Sequence, residues 1–145
     1  VSQALDRGEF VTNFGPVLSG LIESGEVDPG TQTIIEYTTD DLYGRRCQIP
    51  EGTIAQTYVH RTDHISICLQ GTVVLIDQDG VRTKVTAPDV FVTSKGTQRV
   101  LLAVTDVDFI TVHYHPNADL SNIENDLGCR SMAEYNHLIS HEVEP

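Results

Sequence analysis

Three residues able to bind a proton, a metal or a substrate stand close together, Tyr58, His60 and His64, and three more, Arg99, His113 and His115, follow far downstream. A neutral imidazole presents one lone pair and one N–H, so it can ligate a transition metal or pass a proton near neutral pH. Arginine does neither. It keeps its charge, repels a cation and favours an anion or a carboxylate. A divalent metal needs neutral imidazoles and carboxylates converging from neighbouring strands, so a pocket of Tyr58, His60, His64 and Arg99 is a poor cage for one, and no cofactor is expected. The competing donor set is His60, His64 and His113, which would take a divalent transition metal. His115 shares a strand face with His113, and the sequence leaves open which of the two enters the pocket.

Each of these residues also has a plain structural reading. His60 and His64 serve equally as hydrogen-bonded barrel histidines, Arg99 as a partner of Asp63 or a loop anchor, Tyr58 as a pocket wall and Cys68 as a small core residue. No Ser-His-Asp or Cys-His constellation can be argued from spacing, so no catalytic residue is assigned. The stretch from Asp77 to Gly80 reads as a hairpin tip, with too few carboxylates at alternate positions for a calcium loop.

The elements that must position these side chains are short strands. From Thr31 to about His115 the chain alternates Val, Ile, Thr and Tyr runs with turn signals at Asp40-Asp41, Pro50-Glu51-Gly52, Gln70-Gly71, Asp77 to Gly80, Ala87-Pro88-Asp89 and Lys95-Gly96, which predicts a sandwich or barrel. Strand alternation then sorts the faces. If His64 points inward, so do Ser66, Cys68 and Gln70, while Ile65, Ile67 and Leu69 face out; likewise Arg99, Leu101 and Ala103 face in and Val100, Leu102 and Val104 out. Both outward sets are apolar, and a large uncovered patch of that kind marks an interaction surface. Something must cover it: an N-terminal arm, the C-terminal helices or another copy of the chain.

Three segments are expected: an extended arm over residues 1–30, a barrel over 31–116 and a helical tail over 117–145. The arm has apolar residues without a sustained period. In the tail, Asp119 is placed to cap a helix carrying Leu120, Ile123 and Leu127 that Gly128 can stop, and Ser131-Met132-Ala133-Glu134 has capping-box form ahead of an apolar stripe of Met132, Tyr135, Leu138 and Ile139. These helices read as packing surfaces.

The 145 residues suffice for one core, and 21 acidic against 9 basic residues give a formal charge of -12, which argues against nucleic acid and anionic membrane surfaces as partners. Cys47, Cys68 and Cys129 show neither a disulfide framework nor zinc-knuckle spacing, and no export signal or spanning run is visible, so a soluble protein made in a cytoplasm is expected.

The motif around His60 resembles the cupin frame of His-x-His, a Glu four residues on, a Gly seven further and a Pro-x-Gly-x-x-His second motif. In that register Tyr58 takes the first His, His60 the second, His64 the Glu, Gly71 the turn glycine and Arg99 the last ligand. The resemblance implies an all-β cupin-type double-stranded β-helix, a jelly roll, with half its metal ligands replaced. Ser94 stands where the second motif usually has proline. From Ile49 to about Glu124 the chain is also similar to small cupin-like proteins encoded by tailed bacteriophages, on Ile49-Pro50-Glu51-Gly52, His60-Arg61-Thr62-Asp63-His64, Gln70-Gly71, Ala87-Pro88, Gly96-Thr97-Gln98-Arg99, Thr111-Val112-His113 and Asp119-Leu120. That similarity implies a non-enzymatic virion protein, a capsid decoration or cement protein slightly ahead of a tail-associated one. It would be a homo-oligomer, dimer or trimer, partnered by other virion proteins such as the major capsid protein. The alternative is a small metal-dependent cupin enzyme acting on a small acid or sugar, with Tyr58 or Arg99 orienting substrate.

Overall fold

Short Val-, Ile- and Thr-rich runs fold into antiparallel strands because alternate side chains can be buried on one face while the backbone pairs sideways. The computed structural model describes residues 32–116 and 120–142. The arm expected over 1–30 and the capping role of Asp119 fall outside the described residues. The strands are β1 (Thr33–Thr38), β2 (Leu42–Ile49), β3 (Ile54–Gln56), β4 (Val59–His60), β5 (His64–Gln70), β6 (Thr72–Asp77), β7 (Arg82–Thr86), β8 (Asp89–Thr93), β9 (Arg99–Ala103) and β10 (Val107–Tyr114). They form a five-stranded sheet of order β1-β2-β10-β5-β8 and a four-stranded sheet of order β3-β9-β6-β7. The expected turn signals fall between strands or overlap their end residues, as at Gln70, Asp77 and Asp89, and Gly52, Gly71, Gly80 and Gly96 take positive φ in them.

The core lies between the sheets. Ile49, Cys68 and Val107 from the larger sheet meet Val73, Leu75, Val85 and Ala103 from the smaller one. Gly71 is the single residue linking β5 to β6, at φ +87°, and a Cβ there would be driven into the carbonyl oxygen of Asp106 and to 2.7 Å from Thr105 Oγ1. This turn accepts glycine alone.

The tail supplies a lid at one end. A 3-10 turn (Leu120–Asn122) runs into α1 (Ile123–Leu127), then β11 (Gly128–Cys129) and α2 (Met132–Glu142). Gly128 ends α1, as expected, by turning into extended backbone that pairs with β4, Gly128 opposite His60 and Cys129 opposite Val59. Ser131 Oγ accepts the Glu134 N–H at 3.1 Å, starting α2. Met132, Tyr135 and Leu138 pack on Val59 and Cys129, so the stripe is a packing surface; Ile139 and Leu120 are exposed.

The predicted parity holds on β5, where His64, Ser66 and Cys68 are buried and Ile65 and Leu69 face out at 47% exposure each. Two positions differ. Gln70 is exposed, because it ends the strand opposite a register shift between Asp108 and Phe109 that breaks the alternation. Val100, expected on the uncovered outer set with Leu102 and Val104, is only 4% exposed. It stands mid-sheet between Gln56 and Ile76; Leu102, flanked likewise by Ile54 and Val74, stays exposed, so pairing alone does not account for the difference.

Candidate functional site: the barrel cavity

The inner face of the larger sheet reads as a graded wall. Its first layer is Tyr43 opposite His113 and His64 opposite Thr93, with the His64 and His113 rings 4.3 Å apart. The next is Arg45 opposite Thr111 and Ser66 opposite Phe91, and the third Cys47 opposite Phe109, which in turn faces Cys68. Polar groups give way to apolar ones with depth. The facing sheet repeats the order along β9, from Arg99 to Leu101 to Ala103. Together they enclose a cavity of about 360 Å³.

His60 enters from β4, whose backbone is held by Gly128 and by hydrogen bonds to Thr97 and Gly96. Its ring centroid lies 4.5 Å from that of His64, edge-on. Tyr58 stands half-exposed at the rim, its hydroxyl 3.3 Å from Glu124 Oε2, and its ring fits against Gly128, where a Cβ would meet Tyr58 Cβ at 2.7 Å. Cys68 is fully buried in the core, and its thiol is pushed up by burial. Arg99 reaches into the cavity: Nη1 donates to Thr93 Oγ1 at 3.0 Å and the guanidinium carbon lies 5.7 Å from the centre of the Phe91 ring. The Asp63 pairing does not form, since Asp63 instead accepts the Lys95 N–H at 2.8 Å. Structure thus brings Tyr58, His60, His64, Arg99 and His113 to one cavity. His115, buried on the same strand face beyond β10, turns to Asp126 Oδ2 at 3.0 Å, which answers the question the sequence left open.

The electrostatics follow from burial. His60 is pushed down to about 3, first by desolvation and then by the fields of His64, His113 and Arg99. His113 is likewise pushed down to about 3 by desolvation and then by His64, Arg45 and His115. Desolvation also lowers His64, against the pull of the Thr62 carbonyl 3.3 Å from its Nδ1. All three imidazoles are therefore neutral near pH 7, and His64 Nδ1 carries its proton, since a carbonyl can only accept. Arg99 remains the cation among them, its pKa lowered by burial. Among the described residues no carboxylate pairs with it; the ion pairs are Arg45 with Glu124, Arg46 with Asp108 and His115 with Asp126.

Among the described residues no group of three or more His, Cys, Asp or Glu has the arrangement to hold a metal. His113 Nε2 is engaged by Thr111 Oγ1 at 2.9 Å, and the fixed charge of Arg99 projects into the same space.

Sequence reasoning placed Ser66 inward but missed Tyr43, Arg45 and Thr93 as walls of this site. The signal for the first two was the β2 alternation Tyr43, Arg45, Cys47, Ile49, which needs only the parity argument used on β5.

No family model matches the chain, and no curated protein matches it. Solved structures do. A cupin domain from Bordetella pertussis Tohama I superposes with a TM-score of 0.51 at 13% identity over 61% of this chain and 98% of that one. A cupin superfamily protein from Desulfitobacterium hafniense gives 0.52 at 11% identity, over 61% and 81%. A salicylate 1,2-dioxygenase from Pseudaminobacter salicylatoxidans gives 0.51 at 17%, over 70% of this chain and 32% of its own. The fold is a cupin-type jelly roll. At these identities the likeness carries the fold alone.

Proposed function

We propose that this chain is a non-enzymatic assembly subunit, a jelly roll that self-associates through the outer face of its five-stranded sheet within a tailed-phage particle. The observation that carries the reading is that face. Val90 and Val92 on β8 stand 65% exposed beside Ile65 and Ile67 on β5, which neighbour Val112 and Ile110 on β10. Helix α2 packs on the Val59 and Cys129 cluster, leaving Ile65, Val90 and Val92 exposed and Ile67, Ile110 and Val112 half-buried. Exposed apolar area costs on the order of 25 cal/mol per Å², so a second copy gains by covering it. A polar rim is in place, with the Arg46 Nε–H donating to Asp108 Oδ1 at 2.8 Å at the edge of the patch. The phage setting is supplied by the sequence resemblance between Ile49 and Glu124; the virion is the location it implies, head decoration ahead of a tail attachment, with the major capsid protein as partner.

Ile65→Asp with Val92→Lys tests this. The two sites are cross-strand partners, so opposite charges pair there instead of repelling, and the lone subunit should stay folded with a stability change of about 1 kcal/mol. The substitutions should nonetheless convert a dimer or trimer, read by light scattering after gel filtration, to monomer. A double variant with the parent mass, or a parent that is monomeric at tens of micromolar, would remove the assembly reading.

The second reading, a small metal-dependent cupin enzyme acting on a small acid or sugar, has the convergence of His60, His64 and His113 in its favour. Protein treated with chelator and dialysed against iron, zinc, manganese or nickel is expected to hold none in stoichiometric amount. Near-equimolar metal that survives dialysis and disappears in His60→Ala, His64→Ala would replace the assembly proposal with the enzyme.

A further inference from the structure

We propose that the barrel cavity is a binding site for a small organic monocarboxylate with an apolar body, its carboxylate held by Arg99. This goes beyond the assembly reading and does not depend on the outer face. The chain carries a formal charge of -12, yet among the described residues its cavity is lined by Arg99, Arg45 and three histidines, and by a single acid, Glu124. Glu124 sits at the exposed rim, 3.9 Å from Arg45 and in reach of the Tyr58 hydroxyl, and leaves Arg99 uncompensated.

A half-buried guanidinium without a carboxylate carries a desolvation cost that a bound anion relieves. Among the described residues its one hydrogen bond is to Thr93 Oγ1, and the only acid whose field it feels is Asp77, its pairing neighbour on β6. Asp77 Oδ1 is itself engaged, accepting the N–H groups of Asp79 and Val81 in the hairpin tip. The remaining N–H donors of Arg99 form the fork that a carboxylate fills with two parallel bonds. His60 stands close enough for the Arg99 charge to lower its pKa, and a neutral imidazole can turn its N–H to a second carboxylate lone pair. His113 Nδ1, in the cavity wall and buried, has no partner among the described residues and offers a further polar contact.

The other end of the cavity defines the rest of the ligand. Below Arg99 the walls are Leu101, Leu75, Val73, Val107, Ile49 and Phe109. A phosphate or sugar acid would leave that floor dry and unfilled, whereas a branched or aromatic carboxylate of five to seven carbons, on the order of 100–130 Å³, places its apolar body there. One pole for charge and one for grease select an amphipathic acid.

The probes are benzoate and isovalerate, each against its neutral amide, with inorganic phosphate as the plain anion, titrated into the full chain after chelator treatment. Calorimetry and the Arg99 side-chain N–H signal in NMR give the readout. Both carboxylates should bind, with the amides and phosphate at least about tenfold weaker, and Arg99→Gln should lose about tenfold or more while Arg99→Lys keeps part of the affinity. The NMR shift in the parent protein reports occupancy even where a variant folds poorly. Equal affinity for the amides, a preference for phosphate, unchanged binding in folded Arg99→Gln, or no shift of the Arg99 signal at tens of millimolar each overturns the proposal. Carboxylate binding seen only after zinc or iron is added also overturns it, in favour of a metal-held ligand.

Discussion

Gly71→Ala should be the most damaging single-methyl change in this protein, lowering stability by more than about 3 kcal/mol. Two penalties combine there. At φ +87° an L side chain costs about 1 kcal/mol, and the new Cβ would also strike the Asp106 carbonyl, a backbone atom that cannot swing away as a flexible side chain can. Moving that carbonyl would shift the start of β10, which pairs with both β2 and β5 and carries Phe109, Thr111 and His113 into the cavity. Gly52 is the built-in control. Its φ is +83°, nearly the same, but nothing lies within 4 Å of its Cβ position, so Gly52→Ala should lose only the backbone term, about 1 kcal/mol. Urea unfolding of the two variants beside the parent reads the difference; equal midpoints would show that the Gly71 turn relaxes freely and that the close approach to Asp106 is not a constraint.

Gly71 also shows what a sequence of this kind discloses. The turn positions were legible because glycine, proline and adjacent acids punctuate the strands, and the inward set on β5 was legible because period two leaves no freedom once one residue is oriented. The fold class follows from those local signals. What was hidden depends on pairing across long separations. Arg45 and Arg46 are chain neighbours of identical charge that parity separates onto two faces, but only the register with β10 gives them their partners, Thr111 opposite Arg45 in the cavity layer and Asp108 beside Arg46 on the outer face. His60 is held by Gly128, on a two-residue strand no pattern could announce. The burial of Val100 was hidden too, since alternation places a residue on a face but says nothing of how its neighbours close around it. The choice between His113 and His115 likewise needed Asp126, brought in by α1, to draw the second imidazole away from the cavity.

Neutral, buried imidazoles carry a further consequence for stability against pH. An unfolded histidine titrates near 6.5, whereas His60 and His113 are held down to about 3 in the fold. Above pH 6.5 neither state binds the proton and nothing is lost. Below it the unfolded chain takes up protons that the folded chain refuses, so stability falls with acid at about 1.4 kcal/mol per pH unit for each such group until the folded values are reached. From pH 6.5 to 5 this is about 2 kcal/mol per histidine, hence about 4 kcal/mol for the two, with His64 acting in the same direction. The window is diagnostic because Asp108, lowered by its hydrogen bonds from Arg46, loses its contribution only at more acid pH. The chain's negative charge works with the opposite sign, since acidification relieves self-repulsion in a protein of formal charge -12. Urea midpoints at pH 7.5, 6.5, 5.8 and 5.0 should therefore fall steadily below 6.5, with uptake of about two protons on unfolding at pH 5. In His60→Gln, His113→Asn the slope should flatten. A parent protein as stable at pH 5 as at pH 7.5 would mean that these rings meet water or an acid in solution, and that the buried, cationic cavity described above is not what the protein presents.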